Sequence, residues 1–108
     1  MPQRAERRSA LHYRLRGYRI LATNAWAGGY ELDIVARRGG TVVFAEVKAK
    51  SGDRYGDPLD MVDGEKQRRI RRAAEIWLAG HPELARCRVR FDAVAERSGR
   101  LARVADAF

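Results

Sequence analysis

A chain of 108 residues has the length of one compact domain, and its net charge of +8, from 22 Lys and Arg against 14 Asp and Glu, favours a polyanionic partner, nucleic acid first and an anionic membrane surface second. The single cysteine, Cys87, excludes an internal disulfide and a thiolate zinc cluster, and its place before an apolar strand marks it as packing. No apolar run approaches the roughly 20 residues of a spanning helix, and MPQRAERRSA lacks the apolar segment of a signal peptide, so a cytoplasmic protein with no membrane partner is expected.

Residues 4–16 predict a helix closed by Gly17, the residue type suited to a left-handed cap. Residues 19–24 predict a short strand and AWAGG a loop. Two strands follow, 31–37 and 41–49, with Gly39-Gly40 between them as the turn of a hairpin. SGDRYGDP is a loop by composition. The clearest helix comes next: Ile70, Ala73, Ala74, Trp77 and Leu78 form one apolar stripe, Asp63 is placed to cap its start, and Gly80 and Pro82 stop it. In 87–95, Val89, Phe91 and Ala93 alternate with Arg88, Arg90 and Asp92, the pattern of a half-buried strand, and 101–104 predicts a last one. The order is α-β-β-β-α-β-β, an α/β class with 1–108 as a single domain.

The hairpin carries the chemistry. With Gly39 and Gly40 as the central turn residues, cross-strand partners place Val35 opposite Phe44, Asp33 opposite Glu46 and Glu31 opposite Lys48. Two acids face to face destabilise a sheet by a few tenths to about 1 kcal/mol unless something offsets their charge. A hard divalent cation does so economically, since Mg²⁺ commonly takes one or two carboxylates and leaves room for water and phosphate. Lys48, on the same face, would orient or help deprotonate an attacking water. Solubility alone also produces such a face, with Lys48 paired to Glu31, and the hairpin by itself leaves both readings open.

Glu31-x-Asp33 followed on the next strand by Glu46-Val47-Lys48 resembles the PD-(D/E)XK signature of the restriction-endonuclease-like superfamily. The chain is more closely similar to the YraN-like family of uncharacterised bacterial proteins, related in fold to Holliday-junction resolvases. The elements carrying that likeness run in order: Glu6, Gly17-Tyr18, Arg19-Ile20-Leu21, Asn24, Glu31 to Ala36, Val43 to Lys48, Tyr55-Gly56, Val62, Lys66-Gln67 and Arg90-Phe91-Asp92. The resemblance implies a restriction-endonuclease-like core, a mixed β-sheet flanked by helices. It also implies Mg²⁺ or Mn²⁺ bound by Asp33, Glu46 and the backbone carbonyl of Val47, with Lys48 as the catalytic lysine. Glu31 belongs to the same signature, Glu6 matches a helix-borne acid near the metal, and Gln67 matches a polar helix residue facing the site. Glu6 also suits the first turns of any helix, and Gln67 a solvated helix surface. The chain departs from the family pattern at Tyr30, where Gly usually precedes the acid, at Lys50 in place of Arg, and at Ala5 in place of Gly.

Lys66, Arg68, Arg69, Arg71 and Arg72 crowd the start of the long helix, and a guanidinium cluster of that density suits phosphate contacts. Trp26 and Tyr55 are read as loop aromatics, able to stack on a base or to cover the edge of a core. Trp77 is assigned to the core, and His12 and His81 carry no role. The expected function is metal-dependent hydrolysis of DNA phosphodiesters, at branched or processed DNA. The alternative is a nucleic-acid-binding module that keeps the fold without cleaving. Similar resolvases are homodimers, because two symmetric cuts need two sites.

Overall fold

The computed structural model describes residues 4–50, 62–97 and 100–108. Helix α1 (Arg4–Leu15) leads into β1 (Arg19–Ala27), β2 (Tyr30–Arg38) and β3 (Thr41–Lys50), followed by helix α2 (Gly64–Ala79), β4 (Arg88–Arg97) and β5 (Arg100–Val104). The sheet order is β1-β2-β3-β4-β5, with β3 and β4 parallel and the other neighbours antiparallel. A parallel pair needs a crossover, and α2 supplies it. The chain is α/β with a mixed five-stranded sheet, in the element order that the sequence predicts. The predicted loop SGDRYGDP, Tyr55 included, lies outside the described residues.

Each face of the sheet is covered by one helix. Leu32, Val35, Val42, Phe44, Phe91 and Ala93 pack under Ile70, Ala73 and Ala74 of α2. Ile34, Ala36, Val43, Ala45 and Val94 pack under Ala10 and Tyr13 of α1. The alternation along β3 thus sends Val42 and Phe44 to α2, and Val43 and Ala45 to α1. Helix α2 starts where predicted: Asp63 accepts the Lys66 amide at 2.8 Å, and Gly80 closes the helix by donating to the Trp77 carbonyl at 3.1 Å.

Three expectations are corrected. AWAGG is not a loop: Ala25, Trp26 and Ala27 belong to β1 and stand opposite Leu32, Glu31 and Tyr30. Only Gly28 and Gly29 make the turn, both at positive φ, 59° and 76°, the conformation of a two-residue hairpin that closes with glycine. In β4 the polar alternation does not face water. Asp92 is fully buried, whereas Val89 near the strand's start is 39% exposed. Because α1 covers that face of the sheet, Asp92 lies inside and must be satisfied there. It accepts from the Tyr13 hydroxyl at 2.6 Å, from Arg90 at 2.9 Å to each oxygen, from Arg103 at 3.3 Å and from the Asp106 amide at 3.0 Å. Burial alone would raise its carboxyl, but the hydrogen bonds from Arg90, Tyr13 and Asp106 outweigh burial and hold it below the usual range. Trp77 is half-buried rather than core, edge-on to Phe44 and stacked at 3.7 Å on His81. No helix among the described residues is long and apolar enough to cross a membrane.

Candidate functional site

The β2–β3 register follows the predicted pairing from Arg38↔Thr41 through Val35↔Phe44 to Ile34↔Ala45. One step further, Asp33 replaces the strand ladder with its side chain: its Oδ2 accepts the Val47 amide at 2.8 Å. Glu31 does not reach Lys48 across the strands as predicted. It stands opposite Trp26 on β1, beyond the last β2–β3 pair, Ile34↔Ala45. Asn24, at φ 52°, sits in the β1 segment facing Asp33, and its amide donates to the Glu6 carboxylate on α1. The result is a cleft of about 380 Å³ lined by Glu6, Trp26, Tyr30, Asp33, Glu46, Lys48 and Lys66, together with Gly29, Glu31 and Val47.

Two half-buried carboxyl groups meet in this cleft, and Asp33 and Glu46 hydrogen-bond to each other. Burial, then the Glu46 charge, pushes Asp33 up to about 8. Burial also raises Glu46, against the pull of Lys66, whose ammonium lies 3.7 Å from its Oε2. The Tyr30 hydroxyl donates to the same oxygen at 3.1 Å, and burial followed by the Glu46 charge raises that phenol above its ordinary value. Both shifts favour a bound proton over two full charges in the metal-free cleft. Among the described residues no group of three or more His, Cys, Asp or Glu converges to hold a metal. The cleft offers two close carboxylates, the small donor set that Mg²⁺ tolerates and that Zn²⁺ or Ca²⁺ does not prefer.

The structure brings Glu6, Glu31, Asp33, Glu46, Val47 and Lys48 to one cleft. Gln67 is placed outside its lining, where its amide donates to the Val62 carbonyl at 3.2 Å and helps to seat the start of α2. The helix cations divide. Lys66 belongs to the cleft, Arg69 is tied to Glu65 at 2.7 Å, and Arg71 lies 4.9 Å over the Phe91 ring. Arg68 and Arg72 are exposed on the same helix. The roles of Tyr30 and Lys66 on Glu46 escaped the sequence reading. Their signals were present: Tyr30 directly follows a Gly-Gly turn, and Lys66 falls three residues after the cap Asp63, in the first turn of the helix that crosses over from β3.

Comparison with known proteins gives one consistent match. The family described as Uncharacterised protein family UPF0102 matches residues 5–95. A UPF0102 protein of Methylocella silvestris is 46% identical over 90 residues, 83% of this chain and 71% of its own length. One from Parafrankia is 47% identical over 94 residues, covering 84% and 79%. One from Rhizobium johnstonii is 43% identical over 95 residues, covering 88% and 76%.

Proposed function

The chain belongs to the UPF0102 family, the YraN-like proteins, and from its acidic cleft we propose that it is a metal-dependent nuclease hydrolysing DNA phosphodiesters at branched or processed DNA. The observation that carries this reading is the pairing of Asp33 with Glu46, two partly buried acids, each raised by burial and Asp33 further by the Glu46 charge, beside two lysines. Such an arrangement is stabilised by cation binding, and strongly perturbed acids lining a cleft are candidates for a functional site. The resemblance of Glu31-x-Asp33 and Glu46-Val47-Lys48 to the restriction-endonuclease-like signature adds to it.

Asp33 and Glu46 would hold Mg²⁺ or Mn²⁺, with the Val47 carbonyl as the further ligand that the resemblance implies. Bound there, the cation supplies positive charge to the acids and to the phosphate. The protein's own groups do the rest. The Val47 amide and the Tyr30 hydroxyl fix the two carboxylates, so little reorganisation is needed when a strand arrives. Lys48 donates to the attacking water or to a phosphate oxygen, and Lys66 is released from Glu46 to face phosphate. Water would add to phosphorus and give up a proton to solvent, the bond to the departing sugar oxygen would break, and that oxygen would take up a proton from solvent, leaving a phosphomonoester and a free hydroxyl. Arg68 and Arg72 would track the backbone further along the strand.

The Lys66–Glu46 ion pair favours a second reading, in which the chain's own lysine and a shared proton neutralise the acids and the cleft only binds nucleic acid. A cleavage assay separates the two. Duplex, single-stranded, flap and four-way-junction DNA are offered with Mg²⁺ and with Mn²⁺. The nuclease reading expects cutting of at least one substrate, abolished in Asp33→Ala and Glu46→Ala and reduced by roughly 10² or more in Lys48→Ala. Binding with no cleavage above the Lys48→Ala level leaves the binding module.

A further inference from the structure

Tryptophan is on average a well-covered residue, yet Trp26 is 70% exposed, while the other tryptophan, Trp77, is covered by Phe44 and His81. Trp26 is not on a loop. It lies two residues before the Gly28-Gly29 turn, opposite Glu31, in the edge strand of the sheet. The hairpin that carries it is seated on the α2 side of the sheet: Ala25, Ala27 and Tyr30 pack against the core under that helix, and Gly28, at φ 59°, comes up to the Ile76 side chain. A large aromatic face is thereby held on a rigid element at the wall of the cleft that contains Asp33, Glu46 and Lys48.

From this placement we infer that Trp26 is a stacking platform for an unpaired base, and that the preferred substrate of the cleft has a single-stranded nucleotide beside the phosphate to be cut. The inference deepens the nuclease proposal and rests on its claim that a nucleic-acid strand enters the cleft. A base inside a duplex has both faces covered by its neighbours, so an indole can stack only on one that is unpaired or splayed out. Stacking is indifferent to base identity, which suits a surface whose other contacts, Lys48 and Lys66, address phosphate. The expected ligand class is therefore a single strand, an overhang or a flap rather than blunt duplex.

The test is equilibrium binding in EDTA, where no cleavage occurs, using labelled single-stranded, overhang and blunt duplex DNA. Wild type should bind the single strand and the overhang more tightly than the blunt duplex. Trp26→Ala should lose about 10-fold in affinity for the first two and leave the blunt duplex unchanged, within the range of base–aromatic stacking. Trp26→Phe should recover most of the loss. The emission present in wild type and missing in Trp26→Phe should be quenched by single strand and not by blunt duplex. Unchanged single-strand affinity in Trp26→Ala, or equal losses on all three DNAs, overturns the inference. Stacking selectivity without cleavage in Mg²⁺ would remove the nuclease proposal alone; cleavage with no Trp26 dependence would remove this inference alone.

Discussion

The Asp33 carboxylate accepts the Val47 amide at 2.8 Å, one residue beyond the last β2–β3 pair, Ile34↔Ala45. A side chain thus finishes what the strand ladder leaves open, and in doing so pins one acid beside the other, Glu46. Asparagine can keep that hydrogen bond through its carbonyl oxygen while removing the charge. Metal-free Asp33→Asn should therefore be as stable as wild type at neutral pH and more stable above about pH 8, by up to about 1 kcal/mol, since there it relieves a like-charge pair. In several millimolar Mg²⁺ the order should reverse, because only wild type gains linked binding energy. Thermal melts with and without the cation check both halves.

The same pair sets a pH dependence. Asp33 titrates near 3.8 when exposed and is pushed up to about 8 in the fold, so between these values the folded state holds a proton that the unfolded chain has released. Its contribution to metal-free stability is full below about pH 4 and is lost as pH rises through about 8. His12 has the opposite sign, since burial and then the Arg16 and Arg103 charges lower it from 6.5, but it acts below that value. Urea unfolding in EDTA between pH 7 and 9 reports the Asp33–Glu46 pair clear of His12. Wild type should lose stability across this window, Asp33→Asn should lose less, and Mg²⁺ should abolish or invert the wild-type slope, because the cation displaces the proton.

Much of this cleft was legible in the residues. Gly39-Gly40 between two alternating runs set the β2–β3 register, and the register brought Asp33 to Glu46. What extrapolation could not show was where the ladder stops. Glu31 stands opposite Trp26 because Gly28-Gly29 makes a second hairpin, and it lies past Ile34↔Ala45, where the ladder to β3 ends. An alanine-rich stretch before two glycines carries little strand propensity of its own, so pairing with β2 decides its state. Asp92 was misplaced for a different reason. Alternation reports exposure only when one face of a sheet meets water, and here α1 covers that face.

Asp92 should be the most sensitive polar position in the core. Asp92→Ala leaves Arg90, Arg103 and the Tyr13 hydroxyl around an empty acceptor site, and removing one partner of a buried ion pair costs about 3–5 kcal/mol. Urea denaturation should show a loss of that size. Arg103→Ala, at 3.3 Å and a more exposed end of the network, should cost clearly less.

Nucleic-acid binding should weaken steeply with salt if α2 tracks phosphates. Arg69 is engaged with Glu65 and Arg71 with Phe91, which leaves Arg68 and Arg72 as the better-placed contacts. The double change Arg68→Ala with Arg72→Ala should lower the log–log salt slope by about one to two units, measured by anisotropy over a range of salt. An unchanged slope would place the phosphate contacts on another face.

The claim on which the functional account depends is that Asp33 and Glu46 form a divalent-cation site, and calorimetric titration with Mn²⁺ and Mg²⁺ at pH 8 tests it most directly. Wild type should bind with proton release, Asp33→Ala and Glu46→Ala should show no binding at the same site, and Lys48→Ala should bind as wild type does, because its ammonium addresses water and phosphate rather than the ion. No binding by folded wild type, or equal binding by wild type and the double Asp33→Ala, Glu46→Ala variant, would contradict the account.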